Sequence, residues 1–298
     1  MILVIVVIIL IILISGKSNF KKLGITLNFD KNFEKVDIYK DLGVVDQVYC
    51  IVMKERKEYM KDIFKKLDIN YTFFNAITPK DILSLDTKPG NGIYDKLSNT
   101  NDPKSKLYGH PTRLPLQLSF TMCYLDAIKK GYDTIIVFED DITINVSIDE
   151  LKESINAFKK SDFAFFYMGY CWLYCNQSFK KKDLIADQKL IKVPDKQLFC
   201  CHAICYKVKY LKDLIDFMYP MTDNLDNNVG NFTKAKKLNI CIPPKTFFDQ
   251  NREDLGTLND DSNITLPNCN KIFNHITNTA LPPLKSNSST SYYNTSVK

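Results

Sequence analysis

The chain has 298 residues, 45% of them hydrophobic and 25% charged, and its 40 Lys+Arg against 34 Asp+Glu leave a net charge of +6. That composition is globular and excludes a disordered or collagen-like chain. The lysines are interleaved with acids along the whole length, which excludes a dedicated nucleic-acid binder. The length accommodates one large domain or two small ones.

Met1 to Ile14 carries no polar side chain, and Ser15, Gly16 and Lys17 follow. As a helix this run reaches about 21–24 Å, short of the ~30 Å hydrocarbon core. Residues 1–16 are therefore expected to be a signal-anchor or short transmembrane segment, and 17–46 a polar stem. Two signals bear on its orientation. Lys17, Lys21 and Lys22 follow the apolar run with nothing basic before it, which favours a cytoplasmic body. Seven N-x-S/T sequons, at Asn70, Asn145, Asn176, Asn231, Asn263, Asn287 and Asn294, favour a lumenal one. The expectation is a single-pass, membrane-associated glycoprotein with a lumenal body, of ER or Golgi type.

Gln47–Met53 is a Val/Ile-rich strand candidate, and Arg56–Leu67 places Tyr59, Met60, Ile63, Phe64 and Leu67 on one helical face. Tyr71–Phe74 reads as a second strand. Asp86–Arg113 is rich in Pro, Gly, Asn, Asp and Lys and reads as a long loop, functional or mobile. Leu118–Lys130 resumes a helical period, and Gly131 ends it as a C-cap. Thr134–Phe138 (TIIVF) is a strand with no polar face, as in the centre of a parallel sheet covered on both sides. Ser147 and Glu150 form a capping box for a helix with Ile148, Leu151, Ile155 and Phe158 on its stripe. Phe163–Met168 and Leu198–Tyr206 read as strands and Lys207–Met218 as a helix. This alternation predicts an α/β doubly wound, mostly parallel sheet flanked by helices. Residues 284–298 are Ser/Asn/Thr-rich and read as a loose tail.

Nine cysteines are present, and no CxxC. Cys171/Cys175 and Cys201/Cys205, with His202 between the latter pair, lack the spacing of a zinc knuckle, so buried thiols or one or two disulfides are expected.

The chemistry-bearing feature is the exit of the apolar strand into Glu139-Asp140-Asp141. In open α/β sheets ligands bind beyond the carboxyl ends of the strands. At a turn Asp140 and Asp141 can converge on one hard cation, Mn²⁺ or Mg²⁺, that bridges nucleotide phosphates. GxGxxG, GxxxxGK[ST] and GxSxG are all missing, which argues against dinucleotide dehydrogenases, kinases, P-loop NTPases and α/β-hydrolases.

The order of motifs resembles glycosyltransferase family 25, the lipopolysaccharide-type glycosyltransferases and collagen galactosyltransferases. The resemblance is carried by Val48–Arg56, by Asn70–Ile77, by Leu118-Ser119 with Gly131 and Phe138–Asp141, by Cys201–Tyr206, by Pro220–Asp226 and by Pro244–Gln250. It spans about residues 47–255. The chain departs from the family pattern at Phe120, where His is expected, at Val52-Met53 in place of Asn-Leu, and at Tyr59 in place of a second Arg.

The resemblance implies a GT-A-like (Rossmann-like) fold for residues 47–283, a UDP-sugar donor and inversion at the sugar carbon. It implies transfer of a hexose, galactose or glucose, to a protein or glycan acceptor, with the membrane as partner through the N-terminus and no nucleic acid. Asp140 and Asp141 would hold the metal, while Arg56, Ser119, Glu139 and Gln250 would contact the nucleotide sugar. Asp223 is the first candidate for the catalytic base, Asp226 the second and Asp254 the third. Two readings stand beside this one: a catalytically inert, membrane-tethered module that binds a glycan or protein, and a glycoside hydrolase with paired carboxylates.

Overall fold

The structure, a computed structural model, describes residues 29–84, 97, 112–172, 184–185, 189–193 and 198–255. The apolar segment 1–16, the tail 284–298 and most of the loop 86–113 lie outside the described residues. Among the described residues no helix is long and apolar enough to cross a membrane.

A nine-stranded sheet forms the centre. Its strands are β1 (Phe33–Val36), β2 (Gln47–Val52), β3 (Tyr71–Asn75), β4 (Thr134–Phe138), β6 (Phe165–Trp172), β7 (Leu184–Ile185), β8 (Leu190–Val193), β9 (Leu198–Lys207) and β10 (Ile240–Ile242). They lie in the order β1-β3-β2-β4-β9-β6-β10-β8-β7. β3, β2 and β4 are mutually parallel, β6 and β10 are parallel, and β9 runs antiparallel to both β4 and β6. The central strands thus share one direction except β9, whose reversal joins the two parallel groups. β5 (Ile142–Ile144) and β11 (Phe248–Gln250) form a separate antiparallel pair.

Helices cover both faces, as strands without a polar face require. Side chains of β2 and β4 alternate between two cores: Tyr49, Ile51, Ile135 and Val137 enter one, and Val48, Cys50, Val52, Ile136 and Phe138 the other. The first core is closed by α3 (Arg113–Lys130), α5 (Leu211–Met218) and α6 (Leu225–Ala235), through residues such as Leu118, Leu214 and Val229. The second is closed by α1 (Lys57–Leu67) with Met60, Ile63, Phe64 and Leu67, and by α4 (Ile148–Lys160) with Leu151, Ile155 and Phe158. Two short helices, α2 (Pro79–Ser84) and α7 (Arg252–Leu255), complete the set.

The expected local signals operate as read. Gly131 adopts the left-handed conformation at φ 68° that closes α3, and the Ser147 hydroxyl accepts from the Glu150 N–H to open α4. Three of the differences from expectation are local. α3 begins at Arg113, five residues before the expected start, because Pro115 lies in its first turn, where the missing N–H costs nothing. Part of the expected polar stem is β1, an edge strand that pairs with β3 with Glu34 and Lys35 exposed. Tyr210 ends a 3₁₀ turn that precedes α5, so that helix starts at Leu211 rather than Lys207.

Candidate active site

The acidic triplet lies where the parallel group ends. Glu139 continues the ladder, its N–H donating to the His202 carbonyl of β9 at 2.9 Å, and Asp140 and Asp141 then turn the chain into β5. The neighbouring strand β2 ends at Val52 and passes through a 3₁₀ turn, Lys54–Arg56. Two adjacent parallel strands therefore deliver an arginine and two aspartates to one rim of the sheet, where α/β folds bind ligands.

Asp140 is tied to that turn on both oxygens. Its Oδ2 accepts the Met53 N–H at 2.7 Å, and its Oδ1 accepts from Arg56 Nη1 at 2.9 Å. Arg56 and Asp140 are only 8% and 7% exposed. Burial pushes the Asp140 carboxyl above the usual carboxylate range, against the opposing pull of the Met53 N–H and the Arg56 guanidinium. Arg56 also donates through Nη2 to the Leu255 carbonyl at 3.2 Å and lies 4.0 Å from Asp141 Oδ2.

Asp141 faces the closing segment of the domain. β11 pairs with β5 so that Gln250 stands opposite Ile142. Gln250 Nε2 donates to both Asp141 oxygens, at 3.2 and 3.4 Å, and the Asn251 N–H reaches the Asp141 carbonyl at 2.5 Å. The Tyr59 hydroxyl donates to the Ile142 carbonyl at 2.8 Å and accepts from Asn251 Nδ2 at 3.4 Å, so α1 is bolted to the same segment. Asn251 Nδ2 also donates to Asp254 at 3.1 Å.

The candidate bases sit at the start of α6. Asp223 Oδ1 accepts from the Asn224 N–H and from Asn227 Nδ2, each at 2.9 Å. Asp226 accepts the Asn227 N–H at 2.8 Å and the Cys200 N–H of β9 at 3.4 Å. Burial raises the Asp226 carboxyl, with Asp223 adding to the rise. One residue of β9, Cys201, separates the Asp226 contact from the bond between His202 and Glu139. The Cys201 thiol between them is raised by burial and by the charges of both Asp226 and Glu139. β9 therefore carries the α6 acids to the same rim as the triplet.

Ser119 takes a different place from the one expected. It has no exposed surface; its hydroxyl donates to the Pro115 carbonyl and accepts the Ile77 N–H, both at 2.9 Å. It fastens α3 to the chain leaving β3. Residues of the site that sequence reasoning did not place there are Asn251, whose neighbour Gln250 was singled out, and the buried amide pair Gln117–Asn228. Asn228 Nδ2 donates to Gln117 Oε1 at 2.9 Å and to the Asp223 carbonyl at 2.8 Å, which fixes the loop carrying Asp223. A lone amide within a helical stripe gives no signal of its own.

Among the described residues no three His, Cys, Asp or Glu side chains gather into a metal cage. Both acids are held by protein donors, Asp140 by the Met53 N–H and Arg56 and Asp141 by Gln250, so a cation here would take most of its ligands from phosphates and water, as Mg²⁺ commonly does. Five cysteines, Cys50, Cys123, Cys201, Cys205 and Cys241, are buried free thiols, while Cys200 is disulfide-bonded. Cys175 lies outside the described residues.

A comparison with curated proteins finds no match. Among solved structures, the crystal structure of 4-diphosphocytidyl-2C-methyl-D-erythritol synthase from Anaerococcus prevotii DSM 20548 is similar at 9% identity. That likeness covers 73% of this chain and 78% of that one with a TM-score of 0.34, too slight to bear on function. The family model described as glycosyltransferase family 25 (LPS biosynthesis protein) matches residues 47–216, from the first strand of the parallel group into α5. The chain belongs to glycosyltransferase family 25.

Proposed function

We propose that the protein transfers a hexose, galactose or glucose, from a UDP-sugar to a hydroxyl of a protein or glycan acceptor, with inversion. The observation that carries this reading is the convergence of Arg56, Asp141 and Gln250 on the rim left by β2 and β4.

Each group has a task set by its chemistry. Asp141 is the residue that would hold Mn²⁺ or Mg²⁺, which supplies Lewis-acid neutralisation of the diphosphate. Asp140 orients Arg56, and the guanidinium beside the diphosphate offers a fixed positive charge with several donors. Gln250 holds the Asp141 carboxylate, and Glu139 positions the nucleotide ribose at the half-buried start of the turn. Ser119 acts through the seating of α3. An inverting transfer needs one base within reach of the acceptor hydroxyl. Asp223 takes that proton as the acceptor oxygen bonds to the sugar carbon, and the bond to the diphosphate breaks on the opposite face with its electron pair leaving on UDP. Asp226 is the alternative base; its raised carboxyl suits proton transfer nearer neutral pH.

The body is placed in the lumen, tethered by the apolar run Met1–Ile14. The disulfide at Cys200 and the exposed sequon at Asn145 support an oxidising, glycosylating compartment.

The test is a panel of UDP-sugars incubated with Mn²⁺ and candidate acceptors, with UDP release and product mass followed together. One donor should give a product heavier by a single hexose, and chelation should remove the activity. No turnover with any donor would leave a glycan-binding or protein-binding module instead. Protease protection of membrane-inserted protein, with and without glycosidase, checks the placement.

A further inference from the structure

One residue touches both halves of the rim without lying at its surface. His202, 1% exposed, accepts the Glu139 N–H on its backbone carbonyl at 2.9 Å. Its ring Nε2 lies 3.0 Å from the Phe248 carbonyl of β11. A carbonyl can only accept, so Nε2 carries the hydrogen and donates it. Two residues beyond Phe248 stands Gln250, whose amide holds Asp141. The first acid of the triplet and the partner of its last acid are thus fastened to the same histidine.

The fold makes room for this ring at one place. The ladder between β6 and β9 shifts register on both sides of Gly169. A Cβ at Gly169 would lie 2.3 Å from His202 Nε2, 2.5 Å from its Cδ2 and 2.6 Å from the Phe248 carbonyl. A glycine within a strand marks a bulge or a close approach, and here it marks both. The bulge and the missing side chain together create the slot through which the imidazole reaches across to β11. An ordinary apolar side chain at 202 would fill the slot but would leave the Phe248 carbonyl without this donor.

We propose that His202 is a positioning residue for the donor site: it sets the distance between the Glu139–Asp141 turn and the Gln250–Asn251 segment, and through it the affinity for the sugar nucleotide. This inference rests on the reading of the rim as the donor site.

Hydrogen exchange and donor kinetics on the full-length protein test it together. His202→Phe keeps a ring and removes the donor, whereas His202→Gln places an amide N–H near the original Nε2. In His202→Phe, the amides of Phe247 and Asn251, bonded to the Met168 and Asp141 carbonyls, should exchange at least tenfold faster, while those of β2 and β4 stay protected. The KM for the donor should rise about tenfold with the acceptor KM unchanged, and His202→Gln should restore both readouts. Unchanged exchange at Phe247 and Asn251 in a folded His202→Phe overturns the positioning role, whether or not the protein uses UDP-sugars. Faster exchange throughout the sheet, or equal rises in both KM values, also overturns it and makes His202 a general packing residue. Failure of the wild-type protein to use any UDP-sugar counts against the proposed function, and the exchange result still decides the role of His202.

Discussion

Replacing Arg56 by methionine should unfold the protein more readily by about 3–5 kcal/mol, the usual cost of removing one partner of a buried ion pair. The structure explains the size. The Arg56 and Asp140 side chains are 9% and 10% exposed and 2.9 Å apart, so little water can replace the lost partner. The substitution removes two bonds donated by the charged guanidinium, to Asp140 and to the Leu255 carbonyl, each worth about 1.5–3 kcal/mol. It also leaves Asp140, already raised by burial, with the Met53 N–H as its remaining close donor in this turn. With a urea slope of about 3 kcal/mol per molar, the midpoint should fall by about 1–1.7 M. Arg56→Met/Asp140→Leu removes both charges and should recover most of that loss, short of the cost of an unsatisfied Met53 N–H, about 1–3 kcal/mol. The double variant should nonetheless fail to bind UDP. A single variant that loses less than 1 kcal/mol would refute the burial argument. A double variant that binds UDP normally would refute the assignment of the pair to the donor site.

Other perturbations give separate checks. Gly169→Ala forces a methyl against the His202 ring and the Phe248 carbonyl at once, and should cost about 1–3 kcal/mol or more by overpacking, read by urea or thermal unfolding. Ser119→Ala strips the Ile77 N–H of its acceptor and should cost about 1–3 kcal/mol, while the donor KM measured on the folded fraction stays unchanged. Asp140 and Asp226 both have carboxyls raised by burial. A raised acid binds its proton more tightly in the folded state, so its stabilising contribution is complete below the unfolded value, about 3.9, and is lost as pH rises through the folded one. The contribution of these two acids to the unfolding free energy should therefore fall as pH rises from about 4, and Asp226→Asn should make the measured slope against pH less negative; an unchanged slope would contradict the burial of this carboxyl.

The strands that place the site were legible because each lacks a polar face. TIIVF at 134–138 could only be an interior strand, and the acids that follow it could only lie at the sheet's rim. The antiparallel course of β9 was not legible, since an all-apolar strand reads the same in either direction. α6 was hidden because Asn227, Asn228, Gly230 and Asn231 are weak helix formers, and their helix is held by packing of Leu225, Val229 and Phe232 into the core. β1 was hidden in a polar stretch because an edge strand needs only half-buried side chains.

Within the site, the sequence could suggest that Asp140 and Asp141 work together, but not that a backbone N–H and Arg56 hold Asp140 while Asp141 turns toward Gln250. Those tasks arise from chain segments nearly 200 residues apart, Arg56 and Leu255 being the extreme case. In the sequence His202 stands out only as a histidine between two cysteines, and its two bonds to the rim come only from the fold.

The central claim is that a metal-bound sugar nucleotide sits on Asp141 at the end of β4. Calorimetric titration of UDP into wild-type protein and Asp141→Asn, each with and without Mn²⁺, tests it most directly. The account predicts binding by the wild type only when Mn²⁺ is present, and at least a hundredfold weaker binding by the variant. Equal affinity in the two proteins, or binding indifferent to the cation, would contradict it.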